Sequence, residues 1–125
     1  MSTPRRLYDP RDPLRASAQA AARDERALAA CRVLLVALRR TDAERGSDLE
    51  RTLRTYYECG ASVSATAEAL FLHRNSVRYR LDRVRALLAS DIDEPEVAAS
   101  LILAFAVDDA AASNVESPDA TKRAQ

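Results

Sequence analysis

The sequence predicts an all-α fold, a small bundle of about five helices, and three observations carry that expectation. Glycine occurs only twice and proline five times, so little interrupts a regular backbone. Apolar residues recur at three- and four-residue intervals, the period of an amphipathic helix, and β-branched runs are short. Between Ser62 and Leu88, two such patterns are separated by no more than a tight turn.

Composition narrows the function classes. A chain of 125 residues with 47% hydrophobic content has room for one modest core plus tails. Its longest apolar stretch, Leu101 to Val107, is too short to span a bilayer, and no apolar signal region opens the chain. A soluble, cytoplasmic, nucleoid-associated protein with no membrane partner is expected. Cys31 and Cys59 are too far apart in sequence for a redox C-x-x-C motif or a zinc cluster. The single histidine, His73, has no second ligand or nucleophile to pair with, so no catalytic role, cofactor or metal is expected.

The formal net charge is zero, but its distribution is uneven. Residues 73–89 hold five arginines (74, 78, 80, 83 and 85) against Asp82, whereas residues 90–97 hold four acids and no base. Positive charge concentrated on one helix is an electrostatic signature of nucleic-acid binding.

Taken in order, residues 1–13 are rich in proline and charge and read as a disordered arm. Residues 14–40 read as one long helix with Leu28, Cys31, Leu34, Leu35 and Leu38 on its apolar face, and residues 41–46 as the connection. Residues 14–47 are not needed to build the helix pair at the centre of the chain, which makes them the candidate dimerisation element. Ser47 and Glu50 have the spacing of a capping box for a third segment, whose core side is Leu49, Leu53 and Tyr56 or Tyr57 and which Gly60 stops. Asp93-Glu94-Pro95-Glu96 opens a last helix that is apolar nearly all round and runs to about Val107. Residues 108–125 read as a disordered tail.

The centre of the chain is the pair of helices between these segments. Ser62 can cap the first, which places Val63, Ala67 and Leu70 on one side. Ala67 is small enough for a second helix to cross closely over it. Leu70 and Leu72 bracket the turn, with Phe71 where a glycine is often used. In the second helix Val77, Leu81, Val84 and Leu88 recur at 4-3-4 spacing and form a narrow dry stripe. Asn75, Ser76, Arg78, Tyr79, Asp82 and Arg83 fill most of the opposite side, and Arg74 lies in the first turn, where side chains project past the helix end. A helix with these two faces can dock on its own domain and still enter a DNA major groove.

The stretch S-V-S-A-T-A-E-A-L-F-L-H-R-N-S-V-R-Y-R-L closely resembles the C-terminal DNA-binding domain of PucR/CdaR-type bacterial transcription regulators, itself similar to the Fis-type helix-turn-helix. The flanking D-L-E-R-T-L-R-T-Y-Y-E-C-G and D-I-D-E-P-E-V-A-A-S-L-I-L-A resemble it too, so the likeness spans residues 48–107, and a phenylalanine at the turn is usual there. The resemblance implies sequence-specific binding of double-stranded DNA. Arg74, Asn75, Ser76 and Arg78 would approach base edges and nearby phosphates, with Arg74 bidentate to a guanine. Tyr79, Arg80, Arg83 and Arg85 would hold the backbone, and His73 would cap the helix or touch DNA. Larger members carry sensory domains N-terminal to this module; no such region is evident here, so no small-molecule effector is expected of this chain. A homodimer is the expected working species. The competing reading is a protein-interaction module that dimerises with a full-length regulator and titrates it.

Overall fold

Six helices make up the regular structure of residues 8–116, the part of the chain described by this computed structural model. They are α1 (Asp12–Ala22), α2 (Glu25–Arg45), α3 (Leu49–Glu58), α4 (Val63–Leu70), α5 (Arg74–Leu88) and α6 (Pro95–Glu116). The all-α expectation holds, with one more helix than anticipated.

The extra helix arises because residues 14–40 are not continuous. Asp24 adopts an extended backbone, and its carboxylate accepts from the Ala27 N–H at 2.9 Å, so it starts a new helix rather than prolonging the first. Residues 12 and 13, assigned to a disordered arm, form the first turn of α1; residues 1–7 lie outside the described region. At the other end α2 continues to Arg45 and stops at Gly46, whose φ of 64° is left-handed, so most of the expected 41–46 connection is helical.

The last helix corrects a second expectation. α6 does not end near Val107 but runs to Glu116, through nine residues expected to be tail. Residues 117–125 lie outside the described region. The extension persists because α1 packs against α6, and Ala18 and Ala111 are both buried. α2 and α3 also pack against α6, which accounts for its apolar surface. Leu101, Ala104, Phe105 and Val107 are covered within the chain.

Helices α2 to α6 share one core. Leu35 and Leu38 of α2 meet Leu49, Leu53 and Tyr56 of α3, Ala67 of α4, Val77, Leu81 and Val84 of α5, and Leu101, Ala104 and Phe105 of α6. Ile92, in the connection before α6, is fully buried among them. Among the described residues the buried polar side chains are Thr52 and Thr66, which donate to the carbonyls of Asp48 and Ser62, each at 2.7 Å. Neither leaves an unsatisfied hydroxyl.

The anticipated Ser47–Glu50 capping box does not form. Asp42 of α2 reaches across instead, accepting from the N–H groups of Leu49 (2.7 Å) and Glu50 (3.0 Å) and from the Ser47 hydroxyl (2.7 Å). A full carboxylate at a helix N-terminus satisfies two orphan donors and the positive end of the dipole together. Glu50 is thereby released for a different task. It accepts Nε (2.8 Å) and Nη2 (3.0 Å) of Arg39 and Nε (3.1 Å) of Arg54. Arg39 also reaches Asp108, Arg54 reaches Asp109, and the Arg54 guanidinium lies 4.5 Å from the Phe105 ring centroid. The network joins α2, α3 and the extended part of α6.

Hydrogen bonds from Arg39 hold the Glu50 carboxyl below its ordinary value of 4.5, against the opposing effect of burial. A depressed carboxylate stabilises the fold above its unfolded pKa, and that contribution is lost as pH falls through the folded value. Wild type should therefore exceed Glu50→Gln in stability near neutrality by about 1–3 kcal/mol. The gap should shrink progressively below about pH 4.5. Urea denaturation of both proteins across pH tests this; a gap that stays constant into acid would contradict it.

Candidate nucleic-acid interface

The backbone between residues 56 and 74 sets the geometry. The Ala61 N–H donates to the Tyr56 carbonyl (2.8 Å), and Gly60, with φ of 68°, turns the chain out of α3. Ser62 then caps α4, its hydroxyl accepting from the Ala65 N–H at 3.1 Å. At the far end of α4 the N–H of Leu72 donates to Ala67 (2.9 Å) and that of Phe71 to Glu68 (3.3 Å), with Phe71 left-handed at φ 56°. Leu72 turns inward onto the core. α5 starts two residues later.

The dry stripe of α5 is as its spacing implies. Val77, Leu81 and Val84 are wholly buried, and Leu88 packs at the edge of the same core. Ala67 is buried too, consistent with a close crossing of α4 and α5. The structure therefore contains two helices, a tight turn and a second helix anchored by one narrow stripe: a helix-turn-helix.

The nine residues singled out from sequence fall into three groups. His73, Arg74, Asn75, Ser76, Arg78 and Tyr79 are exposed in the first turns of α5. The Nδ1 atom of His73 accepts from the Asn75 N–H at 3.1 Å, so His73 is the N-cap. A neutral imidazole that accepts at Nδ1 carries its proton on Nε2 as a free donor. Arg78 donates to Oδ1 of Asn75 at 3.2 Å, which orients both side chains before any ligand arrives.

Arg80 and Arg83 are half-buried and lie to one side. Together with Ser47, Leu49, Asn75, Ser76 and Tyr79 they line an open groove of about 450 Å³ between the start of α3 and α5. Arg80 donates to the Thr52 hydroxyl at 3.3 Å, and the Arg83 guanidinium lies 5.9 Å from the Tyr79 ring centroid. The N-terminus of α3 adds no anion site here, because Asp42 already occupies its N–H groups.

Arg85 stands apart from the rest. It donates to Asp82 (2.9 Å) and to Asp93 (3.1 Å), joining α5 to the acidic connection before α6. Sequence reasoning missed the work of that connection. Asp93 also accepts the Tyr56 hydroxyl at 2.7 Å, and the Tyr57 hydroxyl donates to the Ile92 carbonyl at 2.8 Å. Burial, with Asp93 beside it, pushes the Tyr56 phenol up to about 12 and keeps it a donor. The two tyrosines thus hold the α5–α6 connection, with Tyr56 buried in the core and Tyr57 partly buried against it.

Comparison with known proteins agrees with this geometry. Residues 49–107 match the PucR C-terminal helix-turn-helix domain family, and this part of the chain is a domain of that type. An uncharacterized protein of Mycobacterium tuberculosis is 39% identical over 87 residues, covering 66% of this chain and 21% of the relative. The purine catabolism regulatory protein of Bacillus subtilis is 40% identical over 57 residues, 46% of this chain and 11% of its own length. The carbohydrate diacid regulator of Escherichia coli is 34% identical over 61 residues, 49% of this chain and 16% of its own. The chain thus spans about a fifth or less of the length of these relatives. No solved structure gives a significant match. Among the described residues no helix is long and apolar enough to cross a membrane.

The different surroundings of Arg83 and Arg85 lead to opposite mutant behaviour. Arg85→Ala should lower stability by about 0.5–1 kcal/mol, the scale of ion pairs open to solvent, and leave the salt dependence of DNA binding nearly unchanged. Arg83→Ala should keep stability within about 0.5 kcal/mol and reduce the slope of log K against log salt by about 0.9. Thermal unfolding and salt titrations of both variants check the pair; reversed behaviour would contradict it.

Proposed function

We propose that this chain binds double-stranded DNA sequence-specifically through α5 and acts as a bacterial transcriptional regulator without catalysis. One observation carries the reading: the first turns of α5 expose Arg74, Asn75, Ser76, Arg78 and Tyr79 together, while its opposite side is anchored in the core. Arg74 reads a guanine through its O6 and N7 acceptors, the bidentate pairing that guanidinium geometry favours. Arg78, oriented by Asn75, serves a neighbouring base or phosphate, and Ser76 lies on the same face. Tyr79, Arg80 and Arg83 hold a phosphate strand along the adjoining groove. His73 contributes its free N–H to a phosphate at the helix start. Arg85 supports the helix from behind. The names of the Bacillus and Escherichia relatives, both regulators, favour a regulatory output, and a place with the DNA in the bacterial cytoplasm follows from it.

A homodimer accompanies this reading, because one recognition helix covers too few base pairs to select a genomic site. The inward face of α2 is consumed by the core, since Leu35 and Leu38 are fully buried. Its outward face carries Val33, 71% exposed, and Val36, 45% exposed, one turn apart, and is the surface we assign to pairing.

Binding-site selection from random duplex DNA with the purified protein should yield a defined motif in two half-sites about one helical turn apart. On that duplex Arg74→Ala should lose about 1–3 kcal/mol and relax preference at one base pair. Failure to enrich any motif would sink the DNA reading and favour the interaction module; an unaltered preference in the variant would remove Arg74 as a base reader.

A further inference from the structure

Phe71 is costly to the free protein twice over. It closes α4 in the left-handed region, at φ 56° and ψ 44°, where a side chain with a Cβ is strained and glycine is not. The residue is also 95% exposed, more than Tyr8, Val33, Val36, Tyr79 or Leu87, the other exposed large apolar residues among those described. The turn does not need a ring. Its two closing hydrogen bonds are made by backbone, and the inward apolar contact is made by Leu72. Elsewhere this chain places glycine or alanine at left-handed positions, at residues 46, 60, 61 and 89. A phenylalanine here is therefore not accounted for by anything within the chain.

Its location indicates what it serves. Phe71 precedes the cap of α5 by two residues and Arg74 by three, so their Cα atoms lie within about 11 Å of each other. That is about the width of a DNA major groove. An exposed ring at that distance is within reach of the surface to which the start of α5 is presented. Apart from Tyr79, the exposed residues that follow it, His73, Arg74, Asn75, Ser76 and Arg78, are basic or polar, and those that precede it, Glu68 and Ala69, add no large apolar group, so no broad apolar patch for a protein partner forms. A duplex offers both a polyanion for the arginines and apolar surface for a ring, in thymine 5-methyl groups and deoxyribose faces.

We propose that Phe71 is a DNA-contacting residue whose ring packs on an apolar surface of the duplex, a thymine methyl or a deoxyribose, beside the bases read by Arg74. The proposal rests on the DNA-binding reading above and adds to it a contact from the turn. The strained turn thus holds the ring ready, outside the core, before DNA arrives.

The test uses the full chain and the duplex obtained by selection with the wild-type protein. Phe71→Gly removes the ring and the strain together, so its melting temperature should equal or exceed that of wild type. Its affinity for the selected duplex should fall about tenfold. Phe71→Asn, polar but tolerant of the left-handed region, should lose affinity similarly. Replacing each thymine of the site by uracil in turn then distinguishes the two surfaces. A thymine methyl contact makes one replacement weaken wild type and leave Phe71→Gly unaffected; a deoxyribose contact leaves wild type indifferent to every replacement. Wild-type affinity in the folded Phe71→Gly protein would overturn the proposal while leaving the DNA reading intact. A marked drop in its melting temperature would overturn it too, by giving the ring a role inside the fold. Absence of duplex binding by wild type would remove the DNA reading itself.

Discussion

The structure depends on the narrowness of the stripe that anchors α5. Three residues, Val77, Leu81 and Val84, are completely buried, and burial of each contributes about 1.5–3 kcal/mol. That is enough to fix the helix on the domain without enclosing it. A broader apolar face would sink α5 into the core, and its arginines would have to be paired or desolvated at a cost. A narrower one would leave the helix free to roll, and no set of side chains could keep a register on a ligand. Ala67 allows the close crossing, the Ser62 and His73 caps define the starts of α4 and α5, and the turn between the two helices sets the angle.

The remaining helices stabilise this arrangement from behind. α3 is held at its start by Asp42 and at its end by the two tyrosines that grip the α5–α6 connection. The Arg39–Glu50–Arg54 network then ties α3 to α2 and α6. Much of the charge in this chain is spent internally in that way. A zero net charge is thus compatible with a local basic face, because several of the acids neutralise arginines that lie away from it.

Features set by local periodicity could be read in the sequence. The α5 stripe, the Ser62 cap, the Gly60 stop and the start of α6 at Pro95 all follow from residues within a turn or two of one another. Features set by contacts distant in sequence could not. Asp24 looks like any other acid in a charged run until the chain folds back and α1 finds α6. Asp42 displaces the capping box because a neighbouring helix brings it there, seven residues from the N–H it binds. The extension of α6 is rich in alanine and contains no breaker, but its short apolar side chains looked solvated without α1 against them. Arg85 belonged to the same basic run as Arg83, and its pairing with Asp93 across the connection separates the two.

The central claim is that the exposed side of α5 reads a DNA major groove. Methylation interference on the selected duplex tests it most directly, because dimethyl sulfate modifies guanine N7 in the major groove and adenine N3 in the minor groove. The account predicts that methylation at guanine N7 within each half-site blocks binding, at positions about one helical turn apart, whereas methylation at adenine N3 between them does not. Interference confined to adenine N3, or none at either position, would contradict it.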